Sequence, residues 1–157
     1  YLSAAVSGGL FPVCLLPPSW FRLSALIAFA TGTSWGTFGI MIPLAMPIVT
    51  GLAAGSGFGQ AELVKAAMIA VTSVLSGAVW GDHASPISDT TILSSTGASC
   101  PHLEHVATQL PYVAFVAVCS FCGFLIGGLT QSLAFCWITD LIVFVSGFVV
   151  LPKVFKD

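Results

Sequence analysis

Long apolar blocks run along this chain, and short polar clusters separate them. A helix needs about 20 apolar residues to cross the hydrocarbon core of a membrane, and several blocks approach that length. The first, residues 2–16, is somewhat short and is expected to end at Pro17-Pro18, because proline removes a donor and disfavours helix before it. The second, 24–49, is interrupted by Thr31-Gly32-Thr33-Ser34-Trp35-Gly36-Thr37 and carries Pro43 and Pro47 beyond the interruption. It is expected to form either one broken helix or a re-entrant hairpin. A glycine-rich loop over 51–60 leads to the third block, 62–97, which has Glu62 and Lys65 at its wet end and a break at 81–88. Its two parts together cover a core of about 30 Å, which puts the break inside the membrane, past its middle. Residues 106–129 read as a clean span, with Pro111 near the start and Gly123, Gly127 and Gly128 available for close packing. Residues 133–151 form the last. The pattern predicts an all-α polytopic membrane helix bundle. It has a re-entrant or broken hairpin, a second discontinuous transmembrane helix, and one transmembrane domain over 1–157.

Composition fixes the solvent. Of the 157 residues 57% are hydrophobic and 6% charged, with a mean hydropathy of +1.03. A soluble domain carries about 25% charged residues, so these few charges cannot cover a water-facing surface. The absence of a basic stripe gives no indication of a nucleic-acid partner. Lys153 and Lys156 follow the last block and place the C-terminus in the cytoplasm. Tyr1 stands where an initiator Met would, and no charged segment precedes the first block. A signal peptide is therefore not expected, and the chain reads as a fragment that begins inside or beside a membrane helix. Cys119-x-x-Cys122 lies within an apolar block and reads as packing rather than redox or metal chemistry.

The chemistry concentrates in the breaks. An ionisable residue at membrane depth costs several kcal/mol and is by default a functional candidate. Asp82, His83 and Asp89 share one interrupted segment with Ser85, Ser88, Thr90 and Thr91, and the other break supplies Thr31, Thr33 and Ser34. Hard cations such as sodium take oxygen ligands from carboxylates, hydroxyls and backbone carbonyls, and interrupted helices expose such carbonyls. Asp82 and Asp89 are the candidate sodium ligands. Asp89 also fits a helix N-cap, and the two roles can coexist. His83 suits a hydrogen-bonded structural role as well as proton transfer. Asp140 lies in the last block and either pairs within the bundle or takes part in transport. His102, Glu104 and His105 resemble a metal cluster, but their place beside Pro101 favours a solvated loop. No H-E-x-x-H, G-x-S-x-G or Walker A signature occurs, so neither these hydrolases nor ATP-driven transport is encoded here.

The run Gly81-Asp82-His83-Ala84-Ser85-Pro86-Ile87-Ser88-Asp89-Thr90-Thr91-Ile92-Leu93-Ser94-Ser95-Thr96-Gly97-Ala98 resembles the signature of the NhaC family of sodium/proton antiporters. His105 and Thr108-Gln109-Leu110-Pro111-Tyr112 continue it, and Ala30 to Thr37 is similar to the family's other polar break. Ala84 stands where many members have cysteine, and family chains are far longer. The resemblance implies a C-terminal part of a two-repeat transporter of the ion-transporter superfamily: one half of an inverted-repeat protein, with its site between repeats and its N-terminal repeat missing here. It implies a multi-pass protein of the cell (inner) membrane that exchanges sodium for protons and is not an enzyme. No cofactor is expected, only the transported sodium ion and proton. The lipid bilayer and the missing repeat are its partners, and a homodimer is compatible with it. Protons and sodium would compete for one carboxylate, with alternating access coupling the fluxes. The rival is a sodium- or proton-coupled exchanger of organic anions or amino acids, of the lactate/malate type. No arginine lies in either break to clamp a carboxylate substrate, which favours a bare cation. A non-transporting scaffold has no reason to bear the cost of two polar breaks.

Overall fold

The computed structural model describes residues 13–154. Its regular structure is helical, with no strand among the described residues. A 3-10 turn, Val13–Leu15, opens into α1 (Leu16–Thr31), followed by α2 (Ser34–Gly55), α3 (Gln60–Ala84), α4 (Asp89–Gly97), α5 (His102–Thr130) and α6 (Leu133–Val154). Four segments are long and apolar enough to cross a membrane: Val13–Thr31, Ser34–Ala53, Gln60–Ala84 and His102–Thr130. Leu133–Val149 adds a shorter apolar stretch. The chain is a polytopic helical membrane bundle.

Pro17 and Pro18 begin a helix instead of ending one, which corrects the first expected boundary. They lie in the first turn of α1, where the missing N–H has no partner to lose and the fixed φ suits the helix. Residues 2–12 of that expected span lie outside the described residues. Pro43 and Pro47 sit within α2, and Pro111 within α5.

The second block folds as a hairpin. Only Gly32 and Thr33 are non-helical in it, so Thr31 and residues 34–37, expected to be irregular, belong to the two legs. Gly32 takes φ +68 and its N–H caps the Ala28 carbonyl at 2.8 Å, a left-handed helix stop that glycine adopts without steric cost. Leu16 and Trp20, at the start of α1, pack with Ile48, Val49 and Leu52 at the end of α2. The legs are therefore antiparallel.

α3 runs parallel to α1 at backbone contact. A Cβ on Gly77 would collide with the Phe21 carbonyl, and one on Gly81 with the Ala25 carbonyl. One step further along, the Ser85 hydroxyl donates to the Phe29 carbonyl at 2.8 Å. Positions four apart lie on one helix face, so Phe21, Ala25 and Phe29 form three rungs with Gly77, Gly81 and Ser85. Gly77-x-x-x-Gly81 is the small-residue spacing that lets membrane helices approach closely.

α5 returns antiparallel to both. The Trp80 indole donates to the Val113 carbonyl at 2.7 Å, and the Phe21 and Phe124 rings meet at 5.6 Å. α6 folds back along α5, with Asp140 against Gly123 and Cys136 against Gly127.

The break after α3 is shorter than expected. Residues 81–84 complete α3, leaving only 85–88 irregular. With 25 residues, about 37 Å of helix, α3 has the length to span on its own. The Thr91 hydroxyl reaches back to the His83 carbonyl at 3.2 Å, which a collinear α4 could not do. α4 is therefore not collinear with α3.

The rungs make a stability prediction for the full-length protein in detergent. Gly77→Val forces side-chain atoms into the Phe21 carbonyl and should destabilise by about 1–3 kcal/mol, seen as a lower thermal unfolding midpoint. Gly39→Ala, where an added Cβ meets nothing within 4 Å, should leave the midpoint unchanged or slightly raised. Equal midpoints for Gly77→Val and the unmodified protein would rule out the close approach.

Candidate functional site

The hairpin tip and the α3–α4 loop meet, and this follows from the rungs. Because α1 and α3 are parallel and in register, their C-terminal ends arrive together. A Cβ on Gly32 would stand 2.9 Å from the Ile87 carbonyl oxygen. The tip's glycine is thus required both by its φ and by its neighbour.

Asp82, in the last turn of α3, lies at this junction and is 9% exposed. The Ser34 hydroxyl donates to its Oδ2 at 2.9 Å and the Ser88 hydroxyl to its Oδ1 at 2.6 Å. Both serines are themselves buried. Thr90 Oγ1 stands 2.7 Å from Ser88 Oγ. The Ser88 proton is used on the carboxylate, so Thr90 is the donor in that pair. Ser34 is the first residue of α2 and Ser88 the N-cap of α4. The carboxylate therefore faces two helix N-termini, whose partial positive charges complement its own. Ser88 makes no capping bond within α4; its hydroxyl is committed to Asp82.

The remaining candidates divide. Ser85 joins the two breaks through Phe29, and Thr91 holds the His83 carbonyl together with the Gln109 side chain. These contacts satisfy the ends of helices that would otherwise leave carbonyls unpaired. Thr31 and Thr33 do not reach Asp82. The Thr31 hydroxyl donates to the Ile27 carbonyl at 2.8 Å, and Thr33 Oγ1 accepts from the Gly36 N–H at 3.3 Å. Asp89 is exposed at the first position of α4, and Ser88 takes the N-cap place expected for it. The His83 ring is exposed too. It lines an open groove of about 870 Å3 between α3 and α5, shared with Trp80, His105, Gln109 and Tyr112.

Two residues differ from expectation outside this cluster. His102 is not in a solvated turn: it is half-buried at the start of α5, with Nε2 2.7 Å from the Pro86 carbonyl and Nδ1 3.0 Å from Ser95 Oγ. Asp140 is half-buried against Gly123, and its Oδ1 has no hydrogen-bond partner. It stands level with Phe124 and Phe21, roughly 12 Å of helix from Phe29 and the junction. Sequence reasoning missed Gln109 as a partner of the break and Gly77 and Gly81 as its cause. Gly77-x-x-x-Gly81 was visible as a spacing, whereas the role of Gln109 depends on how α5 docks.

Several known proteins are similar to the chain in sequence. An uncharacterized protein of Haemophilus influenzae is 51% identical over 84% of this chain and 23% of its own length. The malate-2H(+)/Na(+)-lactate antiporter of Bacillus subtilis is 36% identical over 78% of this chain and 27% of its own length. An uncharacterized Na(+)/H(+) antiporter of Haemophilus influenzae is 32% identical over 67% of this chain and 22% of its own length. The chain spans about a quarter of the length of these curated relatives. No solved structure matches it. Residues 1–129 match the Na+/H+ antiporter family, and the chain belongs to that family.

Proposed function

We propose that this chain carries part of the ion site of a secondary transporter that exchanges sodium for protons, with Asp82 as the group for which the two compete. The observation that carries this reading is the buried Asp82 carboxylate, bonded to hydroxyls from two different helix interruptions. Sodium is a hard cation that takes oxygen ligands. Here a carboxylate, the Ser34, Ser88 and Thr90 hydroxyls, and the carbonyl ends of α1 and α3 converge. A proton on Asp82 removes the charge that sodium needs, so one carboxylate holds one or the other. Asp89, a second carboxylate one loop away, adds negative charge at the entrance. The longer polypeptide supplies the rest of the site from a second repeat, in a cell membrane with the C-terminus cytoplasmic.

A second reading has its own support. The groove beside His83 falls within the size range of small-molecule sites, about 300–1,000 Å3, and one relative is named a malate-2H(+)/Na(+)-lactate antiporter. An organic anion in that groove would make sodium a coupling ion rather than the sole cargo.

Three measurements on the full-length protein in everted vesicles check these readings. Asp82→Asn keeps the size and hydrogen bonding but removes the titratable charge, and it should abolish sodium-dependent proton movement; Asp89→Asn should weaken it. Wild-type rates with Asp82→Asn would sink the assignment. Sodium alone should dissipate a preset pH gradient. If malate, lactate or an amino acid is needed as well, the second reading holds. Finally, Ser34→Ala and Ser88→Ala should each raise the apparent sodium requirement several-fold, while Thr33→Ala should not. Equal effects at Ser34 and Thr33 would mean that contact with Asp82 is not what matters.

A further inference from the structure

We infer that His102 is a positioning residue for the Asp82 site: its imidazole clamps the α3–α4 loop and α4 to the start of α5, and so holds Ser88 on the carboxylate. The inference rests on the reading that Asp82 holds the ion.

The loop has four residues, 85–88, and its two serines are committed at its ends. Ser85 bonds Phe29 of α1, and Ser88 bonds Asp82. Between them the internal bonding is thin. The Ile87 N–H reaches Ser85 Oγ at 3.3 Å and the Ser88 N–H reaches the Ser85 carbonyl at 3.4 Å, both at the long end for hydrogen bonds. Pro86 has no N–H to give. Its carbonyl takes the strongest bond of the loop's interior, from His102 Nε2 at 2.7 Å.

That contact fixes the ring's chemistry. A carbonyl oxygen only accepts, so Nε2 carries the proton. In the neutral ring Nδ1 is then the acceptor; it stands 3.0 Å from the hydroxyl of Ser95, a residue 2% exposed on α4, and shares that hydroxyl's one proton with the Ile92 carbonyl at 2.9 Å. One ring thus grips the chain two residues before Ser88 and seven residues after it. Gln109 lies seven residues beyond His102, on the same face of α5, and its side-chain amide donates to the His83 carbonyl. α5 therefore grips both sides of the interruption, at His83 and at Pro86, without touching Asp82 itself. Ser88 is placed by an element that contributes no ligand.

Sodium-dependent proton movement by full-length protein in vesicles tests this through the division between KM and kcat. His102→Leu should raise the apparent KM for sodium three- to ten-fold and change kcat less than two-fold. His102→Gln should restore the KM to within two-fold, because its amide N–H can reach the Pro86 carbonyl while its carbonyl accepts from Ser95. A residue needed only for folding would lower the amount of folded protein and leave the KM of what remains unchanged. That result, or a KM in His102→Leu equal to wild type, overturns the inference. If His102→Leu does not fold, Ser95→Ala removes one arm of the clamp and should raise the KM in the same direction; an unchanged KM there overturns it equally. A second measurement does not depend on transport. In 15N spectra of histidine-labelled full-length protein in bilayers, the ring lost in His102→Gln should be the Nε2–H tautomer, and an Nδ1–H tautomer overturns the clamp. If the wild-type protein moves no protons in response to sodium, the proposed function fails, while the tautomer still decides the clamp.

Discussion

The contact on which the rest of this bundle depends is the backbone-to-backbone approach of α1 and α3. Helix association in a membrane has little hydrophobic drive and relies on close packing and hydrogen bonds. Gly77 and Gly81 remove the side chains that would hold the two helices apart. Ser85 then converts the third rung into a hydrogen bond. The register of these three positions decides where the hairpin tip lands. Slide α3 by one turn and Ser34 no longer meets Asp82. A feature that looks structural, small residues at every fourth position, thereby determines which oxygens surround the carboxylate.

The cluster has a shared logic of satisfaction. A buried carboxylate is costly unless polar partners replace its water. Asp82 gets one hydroxyl from α2 and one from the loop before α4, with a helix N-terminus behind each. The orphan carbonyl of His83 gets Thr91 and Gln109, and that of Pro86 gets His102. Ser34, Gln109 and His102 are distant in sequence from the groups they bond. The site exists only once α1, α2, α3 and α5 are docked, so its geometry reports on the packing of the whole unit.

How much of this was legible in the sequence depends on the kind of residue. The break composition was plain: glycine and hydroxyl residues amid apolar runs marked 31–37 and 81–88 as irregular, of which 32–33 and 85–88 are. Boundaries were harder. Pro17-Pro18 has the same local chemistry at a helix start as after a helix end, and only the position of Leu16 in the packed core tells which applies. Residues 34–37 carry glycine and threonine, which weaken a helix, yet docking on α3 keeps them helical. Asp82, Ser34 and Ser88 were identifiable as candidates because ionisable and hydroxyl groups are rare in apolar surroundings. Thr31 and Thr33 fit the same description but turn their hydroxyls onto their own chain, a choice of rotamer that composition does not encode. His102 was misread because its partners, Pro86 and Ser95, are brought to it by the folding back of α4.

If Asp82 holds the ion, as proposed, its hydroxyl partners have a kinetic consequence. Each serine on Asp82 donates its proton to the carboxylate. One rotation about the Cβ–Oγ bond reverses this and turns the lone pairs toward an entering cation. Turning a hydroxyl moves one proton and no backbone, whereas collective helix motions take about microseconds to milliseconds. On the proposed reading, exchange of a proton for a cation at Asp82 would then need hydroxyl rotations and no change of backbone.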